Sequence, residues 1–127
     1  MEVINEVLDL LGVSVDDLEL NERYELEGSV GIMDLTIEKV GASRLSVAHY
    51  YTQRGDLMRD PEIVFDTTGA EWTPVEYRQD PVSYKTDSDG VDLGGFEKQW
   101  SDNLREQGFV DAARAKRRQD HEQGEER

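Results

Sequence analysis

The sequence predicts a single α+β domain over residues 1–110, an antiparallel meander of about five or six strands with an amphipathic helix at each end. Three observations support this fold class. Apolar residues recur at helical spacing near both ends of the domain, and at a spacing of two between residues 23 and 85. Glycine residues separate the alternating stretches at turn-like intervals. Because the connections are short, we expect both helices to cover one face of the sheet.

The first helix is predicted over residues 2–11. Its apolar residues repeat at helical spacing and form one stripe, which consists of Val3, Ile4, Val7, Leu8 and Leu11. Gly12 follows and is a natural helix terminator. Residues 14–20 fit either a strand or a short turn of helix, and the sequence does not decide between the two.

Alternation of apolar and polar residues marks the candidate strands. They are expected at residues 24–26, 33–37, 45–51, 62–66, 72–77 and 81–85. Pro74 and Pro81 fall in the last two, and proline favours edge positions or strand starts because it has no backbone N–H to donate. The order of the strands in the sheet does not follow from the sequence.

The second helix is predicted after a turn at residues 86–90. Its apolar stripe consists of Leu93, Phe96, Trp100 and Leu104. We expect this helix to end near Gly108, with Phe109 folded back onto the core as the apolar residue after the terminator.

Residues 111–127 are expected to form a charged tail, either helical or disordered. The tail has five acidic and five basic residues and no large apolar side chain. We therefore expect it to have no core face and to add little to stability. Its basic residues cluster at the start, where Arg114, Lys116, Arg117 and Arg118 form a short patch suited to an acidic partner.

The charge of the chain is strongly negative, with 29 Asp and Glu against 14 Lys and Arg and a formal net charge of -15. Abundant carboxylates and scarce lysine resemble proteins from cells that keep molar salt in the cytoplasm, where surface carboxylates retain water and cations. An acidic protein from an ordinary cell is the alternative. At ~1 M salt the Debye length is only about 3 Å, so the acidity does not exclude contact with nucleic acid.

The composition also excludes several classes of site. The chain has no cysteine, which excludes disulfides, zinc–thiolate centres and cysteine nucleophiles. No apolar run approaches the ~18 residues that cross a bilayer, and the first residues do not resemble a signal peptide. We expect a soluble cytoplasmic protein with no membrane partner.

One group of residues is a candidate metal site. His49 lies in a predicted strand, and acidic residues follow it in or just after the next loop. The candidate ligands are His49, Asp56, Asp60 and Glu62, with Asp66 nearby, and such oxygen-rich groups suit Mg²⁺, Mn²⁺ or Ca²⁺. The alternative is that His49 is hydrogen-bonded at the edge of the core and that the acids serve turns and solvated surface. We expect no cofactor.

Aromatic residues on the predicted strands suggest a second possibility. A sheet that carried Tyr50, Tyr51, Trp72, Tyr77 and Tyr84 on one face could stack nucleotide bases. That mode normally pairs aromatic side chains with a basic groove, whereas residues 1–110 contain 24 acidic and only 9 basic residues. Core packing and cross-strand pairing explain the aromatic residues more simply.

Residues 49–65, HYYTQRGDLMRDPEIVF, resemble an uncharacterised family of small proteins found in phages, plasmids and integrated elements. The matching pieces are Gln53, residues 55–58, residues 60–62, residues 77–80, and the aromatic helix with Phe96, Trp100, Leu104, Gly108 and Phe109. The resemblance spans roughly residues 44–110. It implies a mobile-element setting and supplies no biochemical activity.

Three functional hypotheses follow. The first is a non-enzymatic accessory protein of a plasmid or virus that binds another macromolecule, with protein the expected partner. The second is a small metal-dependent enzyme, or a metal-regulated module, that uses His49 and the acids of residues 56–66. The third is a nucleic-acid-associated protein that uses the basic patch of the tail. The oligomeric state does not follow from the sequence.

Overall fold

The structure, a computed structural model, describes residues 1–81 and 83–125, and the side chains of residues 1–81 and 83–117. Three helices and six strands follow in the order α1 (Glu2–Leu11), β1 (Arg23–Leu26), β2 (Leu35–Gly41), β3 (Arg44–Gln53), β4 (Asp56–Asp66), β5 (Thr73–Gln79), β6 (Ser83–Thr86), α2 (Phe96–Glu106) and α3 (Phe109–Glu125). None of the helices in this part of the chain combines the length and the apolar character needed to cross a membrane.

The six strands form one antiparallel sheet in the order β1-β2-β3-β4-β5-β6. This confirms the predicted α+β meander. Pro74 is the second residue of β5, and Pro81 lies in the turn before the edge strand β6. The sheet is a simple meander because each strand is joined to the next by a short connection, which favours pairing between sequence neighbours.

The hairpin between β3 and β4 is longer than predicted. We expected Asp56 and Asp60 in a loop after His49, but β4 begins at Asp56 and pairs with β3 on both sides of an irregularity at Asp60 and Pro61. The turn is only Arg54 and Gly55, both with positive φ, at 52° and 86°. Such a two-residue turn matches the twist of a hairpin, and it requires conformations that glycine adopts without strain.

Helices α1 and α2 pack against the same face of the sheet, as expected, and α3 packs on that side as well. The strands contribute Leu26, Leu35, Ile37, Leu45, Val47, Ile63 and Phe65 to the core, and the helices contribute Val3, Ile4, Val7, Leu8, Trp100, Leu104, Phe109, Val110 and Ala113. Complete burial of a large apolar side chain stabilises a fold by about 1.5–3 kcal/mol, so this layer is the main source of stability.

The end of α1 follows the prediction. Gly12 has a left-handed φ of 77°, its N–H donates to Asp9 O, and the N–H of Val13 donates to Leu8 O. These bonds satisfy carbonyls that the end of a helix would otherwise leave unpaired. The ambiguous residues 14–20 contain one short 3₁₀ turn, Val15–Asp17.

Helix α2 is tied to α1 by two polar contacts. The buried Ser101 Oγ accepts a hydrogen bond of 3.2 Å from the N–H of Val3, one of the donors that the first turn of a helix leaves free. Arg105 Nη2 lies 2.6 Å from Glu6 Oε2. This contact lowers the pKa of Glu6 and raises that of Arg105.

The prediction that residues 111–127 have no core face is wrong for the first turns of the tail. Gly108, with φ 90°, separates α2 from α3, and α3 then packs against α1. Ala113 is fully buried, and Arg117 Nη1 donates a 3.2 Å hydrogen bond to Leu10 O. Alanine buries little area but allows the two helices to approach closely, so the absence of large apolar residues did not mean the absence of packing.

Candidate functional site

One face of the sheet is left without a helix among the described residues. The pairing register and the core contacts place it opposite the helices, and we refer to it as the uncovered face. Its strand residues include Arg23, Glu25, Thr36, Glu38, Arg44, Ser46, Ala48, Tyr50, Thr52, Leu57, Arg59, Glu62, Val64, Asp66, Thr73, Glu76, Arg78, Tyr84 and Thr86. An antiparallel sheet tolerates such a face when its side chains are largely polar.

The centre of the uncovered face is a shallow depression formed by short apolar side chains. Ala48 and Val64 are buried there by their longer neighbours, together with Val75, which lies at the bulge in β5. A shallow cavity of about 320 Å³ lies above Val64 and Val75, with Arg44 and Glu76 among its lining residues. The face therefore combines an apolar floor with charged walls.

A polar network crosses β3, β4 and the end of β5. Ser46 Oγ donates to Glu62 Oε2 at 2.6 Å, and Glu62 Oε1 lies 3.1 Å from Arg59 Nε. The N–H of Arg59 donates to Asp80 Oδ2 at 2.9 Å, and its Nη1 lies 3.6 Å from the same oxygen. Burial raises the pKa of Tyr50 beside this network, and the charge of Glu62 adds to the effect. These contacts fix Arg59 and Glu62 on the face.

A second group lies on β5 and β6. The guanidinium of Arg78 lies 4.4 Å from the centre of the Tyr84 ring, and the Tyr84 hydroxyl donates to Glu76 Oε1 at 2.9 Å. Tyr84 remains 51% exposed, so its other ring face is accessible. Stacked arginine and tyrosine side chains are held in place before any partner arrives, which lowers the entropy lost on binding.

The charge of the uncovered face differs from that of the rest of the domain. Of the 24 acidic and 9 basic residues in residues 1–110, five acids and four arginines lie on this face, which leaves 19 acids and 5 bases elsewhere. The face is thus almost neutral, whereas the remaining surface repels other acidic molecules.

The four candidate metal ligands do not converge. His49 lies on the helix-facing side of β3, whereas Glu62 is on the uncovered face, bonded to Ser46. Asp60 accepts a hydrogen bond from Gln79 Nε2, and Asp56 is exposed at the start of β4. Among the described residues, no group of three or more His, Asp or Glu side chains is placed to hold a metal ion. The metal-site hypothesis gains no support from this placement.

His49 is buried between the sheet and the C-terminal helices. Its ring centre lies 5.6 Å from that of Trp100 and 5.8 Å from that of Phe109. Nδ1 lies 2.9 Å from Asp34 O, and since a carbonyl oxygen only accepts, Nδ1 carries the proton. Burial lowers the pKa of His49, against the opposing effects of the Asp34 carbonyl and of the Asp60 and Asp34 charges.

Acidification should therefore destabilise the domain through His49. Its folded pKa is below the ordinary 6.5, so below that pH the unfolded state takes up the proton first. The stability that depends on a neutral His49 is complete above pH ~6.5 and is lost as pH falls towards the folded pKa. Over that range the free energy of unfolding falls by at most about 1.4 kcal/mol per pH unit. Urea unfolding measured between about pH 5 and 7 should show this slope. His49→Gln, which keeps a donor for Asp34 O, should flatten it, and equal slopes in both proteins would contradict the assignment.

Two residues of the basic patch in the tail make contacts within the chain. Arg114 Nη1 lies 3.0 Å from Asp111 Oδ1, and Arg117 is bonded to Leu10 O. Lys116 is half-buried beside β1, and the side chain of Arg118 lies outside the described residues. Arg114 and Arg117 keep exposed side chains beside these contacts, so the basic patch stays a prediction of a partner-binding surface.

The strand aromatics do not form one stacking platform. Trp72 packs at 5.8 Å from Phe65, and Tyr77 at 5.9 Å from Phe96, both on the helix side. Of the five residues, Tyr50 and Tyr84 are on the uncovered face. The Tyr51 hydroxyl donates to Asp80 O at 3.4 Å. Core packing therefore accounts for Trp72 and Tyr77.

Sequence reasoning missed the uncovered face as a site. The signal was present, because the period of two that places Leu45 and Val47 in the core places Arg44 and Ser46 on the other side. What the pattern did not show was how many strands would share the face, which requires the strand order.

Comparison with known proteins gives one match. A family model described as a domain of unknown function (DUF6908) matches residues 3–110, which include all six strands, helix α2 and all of α1 but its first residue. No curated protein and no solved structure matches the chain. The description of the family states no activity.

Proposed function

We propose that this chain, which belongs to the family described as a domain of unknown function (DUF6908), is a non-enzymatic binding domain whose uncovered face takes a protein partner. The observation that carries the proposal is the near balance of charge on that face in a chain of net charge -15. A neutral face is the part of such a surface that another macromolecule approaches with the least repulsion.

The chemistry of the face favours protein over nucleic acid. Arginine and tyrosine are enriched in protein interfaces. On the uncovered face, Arg78 of β5 is already stacked on Tyr84 of β6. The face carries five carboxylates beside its four arginines. Each carboxylate would repel the phosphate backbone of a nucleic acid. The apolar floor at Val64 and Val75 gives a partner side chain a dry contact.

We further propose that the protein serves a plasmid or virus as an accessory factor. The support is the resemblance of residues 49–65 to small proteins of mobile elements. Genes beside this one should include replication, packaging or counter-defence functions. Neighbours that are all housekeeping genes of a chromosome would contradict this part of the proposal.

Affinity capture with matched variants tests the binding proposal. Arg78→Glu and Arg44→Glu reverse charges on the uncovered face, and Lys98→Glu makes the same change on the exposed side of α2. We expect a protein captured from the source cells to be lost with both face variants and kept with Lys98→Glu, before and after nuclease treatment. Capture that survives both face variants, or that nuclease abolishes, would contradict the proposal.

Adaptation to high salt is a separate proposal with its own prediction. Because 19 of the acidic residues lie away from the uncovered face, their mutual repulsion should weaken the fold at low ionic strength. Raising KCl from ~0.1 to ~3 M shortens the Debye length from about 10 Å to below about 3 Å. The thermal unfolding midpoint should rise with salt, and a midpoint that does not change would end the halophile interpretation.

A further inference from the structure

Three valines line the shallow cavity at the centre of the uncovered face, which we refer to as the valine depression. They are Val40 of β2, Val64 of β4 and Val75 of β5, and Val40 is still 40% exposed. The volume of about 320 Å³ is at the small end of the ~300–1,000 Å³ of ligand pockets, so the depression suits one side chain rather than a larger ligand. It belongs to the uncovered face, so what is inferred about it rests on the proposed function.

Arg44 supplies a cationic group at one side of the valine depression. Its aliphatic stem lies against Gly41, where an added Cβ would meet Arg44 Cγ at 3.0 Å. The Arg44 guanidinium forms no hydrogen bond or ion pair with the described residues. Hydrogen bonds from the Thr68 N–H and hydroxyl to Asp66 Oδ1 lower the pKa of that carboxyl, and the charge of Arg44 across the ladder adds only a smaller effect. A partner carboxylate can therefore pair with Arg44 without breaking a contact of the chain.

The spacing between Arg44 and the valine depression selects the occupant. Arg44 pairs with Asp66 in the ladder, so Val64 is its diagonal neighbour, about 7–8 Å away. In an extended segment, residues two apart lie on the same side and about 7 Å from each other. One side chain of such a segment can therefore lie above Val64 while the second reaches Arg44. Glu76, which pairs with Val64 from β5, bounds the opposite side, and its charge keeps a carboxylate at the Arg44 end.

We propose that the valine depression anchors an extended segment of the partner protein through one apolar side chain, and that an acidic side chain two residues away pairs with Arg44. The apolar side chain covers the three valines, and the carboxylate meets a guanidinium that has no partner within the described chain. Charge complementarity with Arg44 distinguishes this occupant from a basic or a uniformly apolar segment.

Synthetic peptides test the proposal on the full chain. The probe is a blocked pentapeptide with leucine second, aspartate fourth and serine elsewhere, and two controls replace the aspartate with asparagine or the leucine with serine. In a ¹⁵N NMR titration, the probe should shift the amides of residues 44, 64 and 75 saturably and bind about fivefold more tightly than the asparagine control. The serine control should give no saturable shift at these amides. Repulsion by the net charge of -15 would give the opposite order of the aspartate and asparagine peptides, so the sign of the difference is diagnostic.

Variants then assign the difference to Arg44. In Arg44→Gln the aspartate and asparagine peptides should bind equally, whereas Lys98→Gln, which removes one positive charge from the exposed side of α2, should keep the fivefold difference. If circular dichroism shows Arg44→Gln to be unfolded, the comparison on the unmodified chain decides alone. Equal binding of the two peptides to the unmodified chain would overturn the proposal, as would a difference that persists in a folded Arg44→Gln. Shifts of the same amides on concentrating the unliganded chain would also overturn it, because a second copy would then occupy the depression.

Failure of this anchor is distinguishable from failure of the proposed function. Peptides that fail while affinity capture still depends on Arg78 would overturn the anchor alone, since the partner would then bind elsewhere on the uncovered face. Peptides that bind as expected while capture survives Arg78→Glu would support the anchor and contradict the wider binding face.

Discussion

Replacing Trp100 with alanine should lower the free energy of unfolding by about 3–5 kcal/mol, the range for large-to-small changes in a packed core. Trp100 is only 4% exposed and lies where α2 meets the sheet. The centre of its ring lies 5.6 Å from that of His49 and 6.1 Å from that of Phe96, on which it stacks. The substitution would leave a cavity between these rings that neither helix nor sheet can close without moving.

The measurement is urea unfolding followed by circular dichroism, because the change removes one of the two tryptophan fluorophores. Gln99→Ala is the matched control, since Gln99 is exposed on the same helix and should change stability by no more than about 0.5 kcal/mol. A cost for Trp100→Ala below about 1 kcal/mol would mean that α2 is not packed as described.

Ending the chain after Val110 should also destabilise it, by about 2–3 kcal/mol. The deletion removes the fully buried Ala113 and the hydrogen bond from Arg117 to the end of α1. An apolar area on the order of 100 Å² that loses its cover on α1 and β1, at about 25 cal/mol per Å², would give this magnitude. It replaces the small effect that the composition of the tail alone suggested.

A second truncation separates packing from tail charge. Ending the chain after Arg117 keeps both contacts, so its stability should match the full chain within about 0.5 kcal/mol in the same KCl concentration. If both truncations were equally stable, the first turns of α3 would contribute nothing. If both were equally destabilised, the stabilising contacts would lie beyond Arg117.

The fold was largely predictable because its signals are local and periodic. The stripe of α1, its end at Gly12 and the alternating strands can each be read from a few neighbouring residues. The length of β4 was missed, because Asp60 and Pro61 are typical of loops whereas here they continue a strand. The docking of α3 was missed because Ala113 becomes a core residue only once α1 lies beside it.

The candidate site was much less predictable. Proximity along the chain grouped His49 with Asp56 and Glu62, but the sheet separates His49 and Glu62 onto opposite faces. In contrast, the pair of Arg78 and Tyr84 depends on the register between β5 and β6. Which residues lie side by side on a six-stranded sheet depends on the order of the strands, and that order could not be predicted from single residues.

The uncovered face differs in chemistry from the rest of the described surface. It presents arginine and tyrosine side chains around an apolar floor. The remaining surface is dominated by carboxylates. If the proposal of a high-salt setting holds, a partner relies on close contact, because charges beyond about 3 Å are screened at ~1 M salt.

Site-specific photo-crosslinking tests the uncovered face most directly. A photoreactive amino acid is placed at Tyr84, on that face, or at Glu106, exposed at the end of α2, and the cells are irradiated at their native salt concentration. The account predicts one discrete protein adduct from position 84 and none from position 106. Adducts from position 106 alone, or a nucleic-acid adduct from position 84, would contradict it.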